Sequence, residues 1–143
     1  MCGKALNAAA IRRHRKYCSE ACSQRFRADE FKRLNPNNLR GKVNTGKHGA
    51  IGELLVCADL LARGYEVFRS VSQSCSCDIV VLYRGNIFRV ESKMGYRALN
   101  GKLNCAQPKT GTYDILAIVD GVTVYYKSEM SGPLIELSDV IRA

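Results

Sequence analysis

The sequence predicts an α+β domain, a mixed β-sheet flanked by helices, carried behind a small basic, cysteine-rich module. Three observations lead there. One nearly apolar helical stretch is followed by a run of strand-like segments, whereas an α/β fold would alternate the two. The chain has 143 residues, enough for one ordinary domain and a small attachment. Its charge is lopsided: residues 1–47 hold 12 basic and 3 acidic side chains, and residues 48–143 hold 10 of each. The whole net charge of +9 therefore sits in the first third, as expected of a basic arm on a neutral domain.

The elements follow in order. Ser19 caps a helix that runs to Leu34, with Cys22, Phe26 and Phe31 at turn spacing, and Asn35-Pro36 ends it. Residues 35–46 are polar, lack apolar periodicity and read as a linker. This gives a basic arm over residues 1–34 and a second domain over residues 47–143. His48 to Arg63 reads as a helix apolar enough to be packed on more than one face, with Gly64 at its C-terminus. Its acid Glu53 lies among residues expected to be buried, a costly place for a carboxylate without a partner or metal.

Strands come next: Tyr65 to Arg69, Asp78 to Tyr83, and Asn86 to Met94, the last two joined by a turn at Arg84-Gly85-Asn86. Residues 95–112 read as an irregular, substrate-facing loop. Asp120-Gly121 marks a hairpin between Asp114–Val119 and Val122–Lys127. Leu134 to Leu137 reads as a last edge strand, and Ser138 as the cap of a terminal helical turn.

Composition narrows the function. With 46% hydrophobic and 24% charged residues the chain is globular. No apolar run approaches the ~18 residues of a membrane helix. The N-terminus lacks the apolar core of a signal peptide, so an intracellular, cytoplasmic location with no membrane partner is expected. Seven cysteines is an odd count that favours reduced thiols and metal ligands over disulfides. The basic excess points to a polyanion, with DNA first.

The chemistry gathers in a few acids and a lysine. Side chains alternate along a strand, so Glu91 and Lys93 share a face while Ser92 takes the other. Asp78 lies across the hairpin, near where Glu91 emerges. Asp78 and Glu91 can offer carboxylate oxygens to one hard cation, and the backbone carbonyl of Ser92 a third oxygen. Mg²⁺, which keeps several waters, suits such a set, as does Mn²⁺. Lys93 is placed to orient or deprotonate a water and to stabilise charge on a phosphate. Glu53 is expected to join through a metal-held water or a second cation.

Taken together, Gly49-Ala50-Ile51-Gly52-Glu53, Leu60 to Phe68, Asp78-Ile79-Val80-Val81 and Arg89-Val90-Glu91-Ser92-Lys93 resemble the PD-(D/E)XK nuclease superfamily. The likeness is to the branch that includes some group I intron homing endonucleases and, further off, archaeal Holliday-junction resolvases. It spans roughly residues 46–137 and implies a restriction-endonuclease-like core. It also implies Mg²⁺-dependent phosphodiester hydrolysis by in-line water attack. In that resemblance Asp78 and Glu91 match the metal ligands, Lys93 the catalytic lysine and Glu53 the helix acid; Cys77 stands where the motif has proline. Gln107 and Tyr113 lie in a region facing DNA, without an assigned role.

Cys2-Gly3-Lys4 and Tyr17-Cys18-Ser19-Glu20-Ala21-Cys22 resemble the two halves of a small treble-clef-like zinc finger. A structural Zn²⁺ takes four ligands, and Cys2, Cys18 and Cys22 supply three. Either His14 is the fourth, or the true start lies upstream of Met1. Arg12, Arg13, Arg15, Lys16, Arg25, Arg27, Lys32 and Arg33 make the expected phosphate-contacting surface. The expected protein is thus a metal-dependent DNA endonuclease. Its alternatives are an idle DNA-binding protein on the same fold and a nuclease directed at junctions or RNA. A module this small would read a long site as a homo-oligomer, dimer or larger, or with a partner subunit.

Overall fold

The computed structural model describes residues 16–39, 42–72 and 74–128. Helix α1 (Glu20–Leu34) begins where Ser19 caps it, the serine side chain accepting a hydrogen bond from Cys22 N. Helix α2 (Thr45–Ala62) starts three residues ahead of the expected His48, because Asn44 caps it by accepting from Lys47 N at 2.9 Å. Gly64 closes α2 with a positive φ of 83°, and Tyr65 N returns to the Leu60 carbonyl.

Among the described residues six strands follow: β1 (Glu66–Arg69), β2 (Ile79–Tyr83), β3 (Asn86–Arg97), β4 (Leu103–Cys105), β5 (Ile115–Asp120) and β6 (Thr123–Ser128). They form one mixed sheet in the order β1-β2-β3-β5-β6, with β4 also paired to β3. Among the described residues only the β3–β5 pairing is parallel. The turn between β2 and β3 holds two residues, Arg84 and Gly85, both at positive φ, which matches the right-handed twist of the flanking strands. Two parts of the expected 95–112 loop are strand instead: β3 runs on to Arg97, and β4 pairs back against Gly95–Arg97. The expected strand at Leu134–Leu137 and the turn at Ser138 lie outside the described residues.

Each face of the sheet has its own apolar cluster. Val56 and Leu60 of α2 pack on Ile79, Val81, Val90, Ile115, Ala117, Val119 and Tyr126. Leucine, isoleucine and valine buried in this way contribute roughly 1.5–3 kcal/mol each, so this face is the main core. The Tyr126 hydroxyl reaches up to donate to Asp59 of α2 at 2.6 Å. On the opposite face, Tyr113, Leu116 and Ile118 pack with Leu103, Cys105 and Tyr125. Helix α2 is apolar all round but covers only one face of the sheet. Among the described residues its outer side, with Leu54 and Leu61, stands exposed.

The segment after α1, expected as a linker, is anchored to the sheet. Asn35 is 6% exposed. Its Oδ1 accepts from Arg97 N at 2.5 Å, and its Nδ2 donates to Arg97 O at 3.0 Å and to Phe31 O at 2.8 Å. One amide side chain thus pairs with the Arg97 peptide as a neighbouring strand would, at the end of the strand that carries Glu91 and Lys93. Phe31 adds a ring contact with Tyr96, centroids 6.1 Å apart. Gly121, in the β5–β6 turn, lets Asn37 close in, because a Cβ there would lie 2.9 Å from the Asn37 Cβ.

Candidate active site

The two-residue turn sets the register that builds the site. Tyr83 faces Asn86 and the ladder runs to Ile79 against Val90, so the next pair outward sets Asp78 opposite Glu91. Directly opposed residues project to the same face, which puts both carboxylates on the face away from α2. Lys93, two residues on, joins them, and its ammonium group pairs with Glu91 Oε1. Both side chains are mostly shielded, Glu91 at 15% and Lys93 at 27% exposure.

What makes the place special is a gap in the pairing of β3. On one edge β2 covers residues 86–90 and β4 covers 95–97, leaving 91–94 without a strand partner on that side among the described residues. The hydrogen bonds place β2 and β4 on the same edge, since Ser92 N donates to Asp78 Oδ2 at 2.8 Å and Ala98 N donates to Lys102 O. Even-numbered peptide groups of β3 therefore look into the gap, the Ser92 carbonyl with its N–H. On the other edge β5 pairs through 90–94 and keeps this stretch straight. Asp78, Glu91 and the Ser92 carbonyl thus border one notch, and all are hard oxygen donors of the kind that suits Mg²⁺ or Mn²⁺.

The remaining residues divide. Glu53 is not left unpaired: Arg69 Nη2 lies 2.6 Å and Nε 2.9 Å from its Oε2. It projects from α2 beside Gly52, whose hydrogen leaves room for Met94 and Ser92 on the core face. Among the described residues no three His, Cys, Asp or Glu side chains gather as a metal-binding group, so Glu53 stands apart from Asp78 and Glu91. Cys77, next to Asp78, is a thiol pushed up by burial, with Arg89 pulling down and the two carboxylates pushing up. Arg89 holds Asp114 by its backbone N–H and guanidinium, at 2.7 Å for Nη2 to Oδ1. These hydrogen bonds hold the Asp114 carboxyl below the usual carboxylate range. Tyr113 is buried in the second cluster and Gln107 is exposed.

In the arm, the first turn of α1 brings Cys18 and Cys22 together, Sγ to Sγ at 3.1 Å. Cys2 and His14, the other expected zinc ligands, lie outside the described residues, as do Arg12, Arg13 and Arg15. Lys16, Arg25, Arg27, Lys32 and Arg33 are all exposed, and Arg33 is tied to Glu30. At 100° per residue Arg25 and Lys32 share one side of α1. Arg27 falls in the row of Ser23 and Phe31, so the basic residues of α1 do not form a single stripe. No helix among the described residues is long and apolar enough to cross a membrane.

The sheet order, the helix on one face and the notch in β3 define a mixed α+β core. In the solved structures it is similar to a bacterial homing endonuclease, I-Ssp6803I, at a TM-score of 0.51 and 18% identity, covering 59% of this chain. The chain spans 65% of that protein's length, and the likeness is one of fold. No protein-family model matches the sequence, and comparison with curated proteins finds no match.

Proposed function

We propose that the chain is a metal-dependent endonuclease of the PD-(D/E)XK type acting on DNA. The observation that carries this reading is the placement of Asp78 opposite Glu91, with Lys93 beside them, at the unpaired stretch of β3. Likeness of fold to a homing endonuclease supports it, and so does the basic excess of residues 1–47. Asp78, Glu91 and the Ser92 carbonyl would hold Mg²⁺ or Mn²⁺; Glu53, on α2 and bound through Oε2 by Arg69, stands apart from them. When bound, the cation supplies Lewis acidity and activates water.

The chain's own groups do the rest. The Ser92 N–H fixes one oxygen of Asp78, so its carboxylate is oriented before any ligand arrives. Glu91 holds the Lys93 ammonium on the same face. Lys93 is then poised to orient a water or to meet charge developing on a phosphate oxygen. Phosphoryl transfer needs little covalent help from protein, so positioning and electrostatics must supply most of the ~8–23 kcal/mol by which enzymes lower such barriers. Cys18 and Cys22, with ligands from the preceding residues, would hold a structural Zn²⁺ that shapes the arm.

The test is cleavage of plasmid DNA in Mg²⁺, with an EDTA arm. Cleavage that EDTA stops and that Lys93→Ala loses supports the reading; a Lys93→Ala protein as active as wild type sinks it. Running linear duplex, four-way junction and RNA in parallel identifies the substrate. Tight DNA binding without cleavage of any of them would favour an idle DNA-binding protein.

A further inference from the structure

A second cation shares the catalytic face and has no role in the chemistry above. Strand β5 sets Leu116 beside Glu91, and β6 sets Lys127 opposite Leu116. Asp78, Glu91, Leu116 and Lys127 therefore form one row across the sheet. The face is settled by neighbours: Tyr126 and Val124 pack in the α2 core, whereas Tyr125 packs with Tyr113, Leu116 and Ile118 on the other side. Odd-numbered residues of β6 thus project to the catalytic face, Lys127 among them.

Lys127 differs from the other cations nearby. Lys93 is neutralised by Glu91, Arg89 by Asp114 and Arg97 by Asp120. Lys127 forms no ion pair among the described residues. Cys105 of β4 feels both ammonium groups: burial pushes its thiol up, and Lys93 and Lys127 pull it down. The floor between is apolar, made of Leu116 and Ile118, so a charge there is poorly screened by solvent. Neighbouring strands lie about 4.8 Å apart, which puts the Lys127 backbone about 10 Å from that of Glu91. A lysine side chain spans a good part of that distance.

We infer that Lys127 is a positioning residue that binds the phosphate next to the one held at Asp78 and Glu91. It would set which backbone phosphate of a nucleic-acid strand enters the notch. The inference rests on the nuclease reading and adds to it a residue on β6, outside the helix acid, the Asp78 strand and Glu91-Ser92-Lys93.

The experiment measures DNA affinity by fluorescence anisotropy across a salt series, with Ca²⁺ replacing Mg²⁺, for wild type, Lys127→Gln and Lys127→Arg. Each phosphate neutralised contributes a salt slope of about 0.9. Lys127→Gln should therefore lower the slope by about 0.9, and its affinity should fall about three- to fourfold less than wild type's between roughly 50 and 200 mM salt. Lys127→Arg should keep the wild-type slope, and the KM for cleavage should rise for Lys127→Gln alone. An unchanged slope in Lys127→Gln, with wild-type cleavage intact, overturns the role of Lys127 and leaves the nuclease reading standing. Wild type that shows no Mg²⁺-dependent cleavage overturns both.

Discussion

Replacing Asn35 with alanine removes three hydrogen bonds at once: from Arg97 N at 2.5 Å, to Arg97 O at 3.0 Å and to Phe31 O at 2.8 Å. A net ~1 kcal/mol for each gives about 3 kcal/mol. Buried groups left without partners would add to this, but a cavity of about 150 Å³ beside Asn35, lined by Leu34, Asn38, Met94 and Asp120, offers water a way to rehydrate them. We therefore expect a loss of ~2–3 kcal/mol. With a urea m-value of ~1–3 kcal/mol/M for a small protein, the unfolding midpoint should fall by roughly 1–2 M. Asn35→Asp keeps an acceptor for Arg97 N but sets carboxylate oxygens against the Arg97 and Phe31 carbonyls, so it should be at least as damaging at neutral pH. Hydrogen exchange should quicken in α1 before the β3–β5 core, because Asn35 joins the two. Both variants unfolding within about 0.3 M of wild type would refute the view that Asn35 anchors the arm.

Gly95→Ala is expected to overpack, since its Cβ would lie 2.8 Å from Ile118 Cγ2 and 3.3 Å from the Val119 carbonyl. A cost of about 1–3 kcal/mol follows, read as a melting temperature lowered by roughly 3–10 °C; an unchanged melt contradicts it. The Arg89–Asp114 pair should show in the pH dependence of stability. Because the folded Asp114 carboxyl titrates below its ordinary value of 3.8, its contribution is complete above that pH and is lost as pH falls through the folded value. Urea midpoints of wild type and Asp114→Asn should converge on acidification from pH 7 to 2, and a gap that stays constant would count against the pair.

The acid pair was legible because hairpin register is arithmetic. A turn at Arg84-Gly85-Asn86 already brings Asp78 near Glu91, and alternation places Lys93 with Glu91; the structure narrows the turn to Arg84-Gly85 and sets Asp78 directly opposite Glu91. The cap at Ser19 and the turn at Gly121 were legible for the same reason, as each depends only on neighbouring residues. Strand order was not. That β5 runs parallel beside β3, and β4 along its other edge, depends on which long loop closes where, and period-two patterns are silent on that. Lys127 was missed for this reason, being thirty-six residues from Glu91 in the chain and two strands away in the sheet. Asn35 looked like a helix stop in a linker because its side-chain pairing with Arg97 is tertiary. Glu53 needs a partner or a metal by its place on the helix, and Arg69 is that partner; an arginine sixteen residues on gives no local sign of that. The apolar outer side of α2 reads as a second packing face, yet hydropathy counts side chains and does not show what covers them.

The central claim is that Asp78 and Glu91 form the seat of a metal-dependent cleavage reaction. Single-turnover cleavage of DNA at saturating Mg²⁺, comparing wild type with Asp78→Asn, tests it most directly. Asparagine keeps the acceptor for Ser92 N, so the local fold is preserved while the charge is lost. The rate for Asp78→Asn should be lower by about a thousandfold or more, equivalent to roughly 4 kcal/mol of lost transition-state stabilisation. Cleavage by Asp78→Asn within about tenfold of wild type, or wild-type cleavage untouched by EDTA, would contradict it.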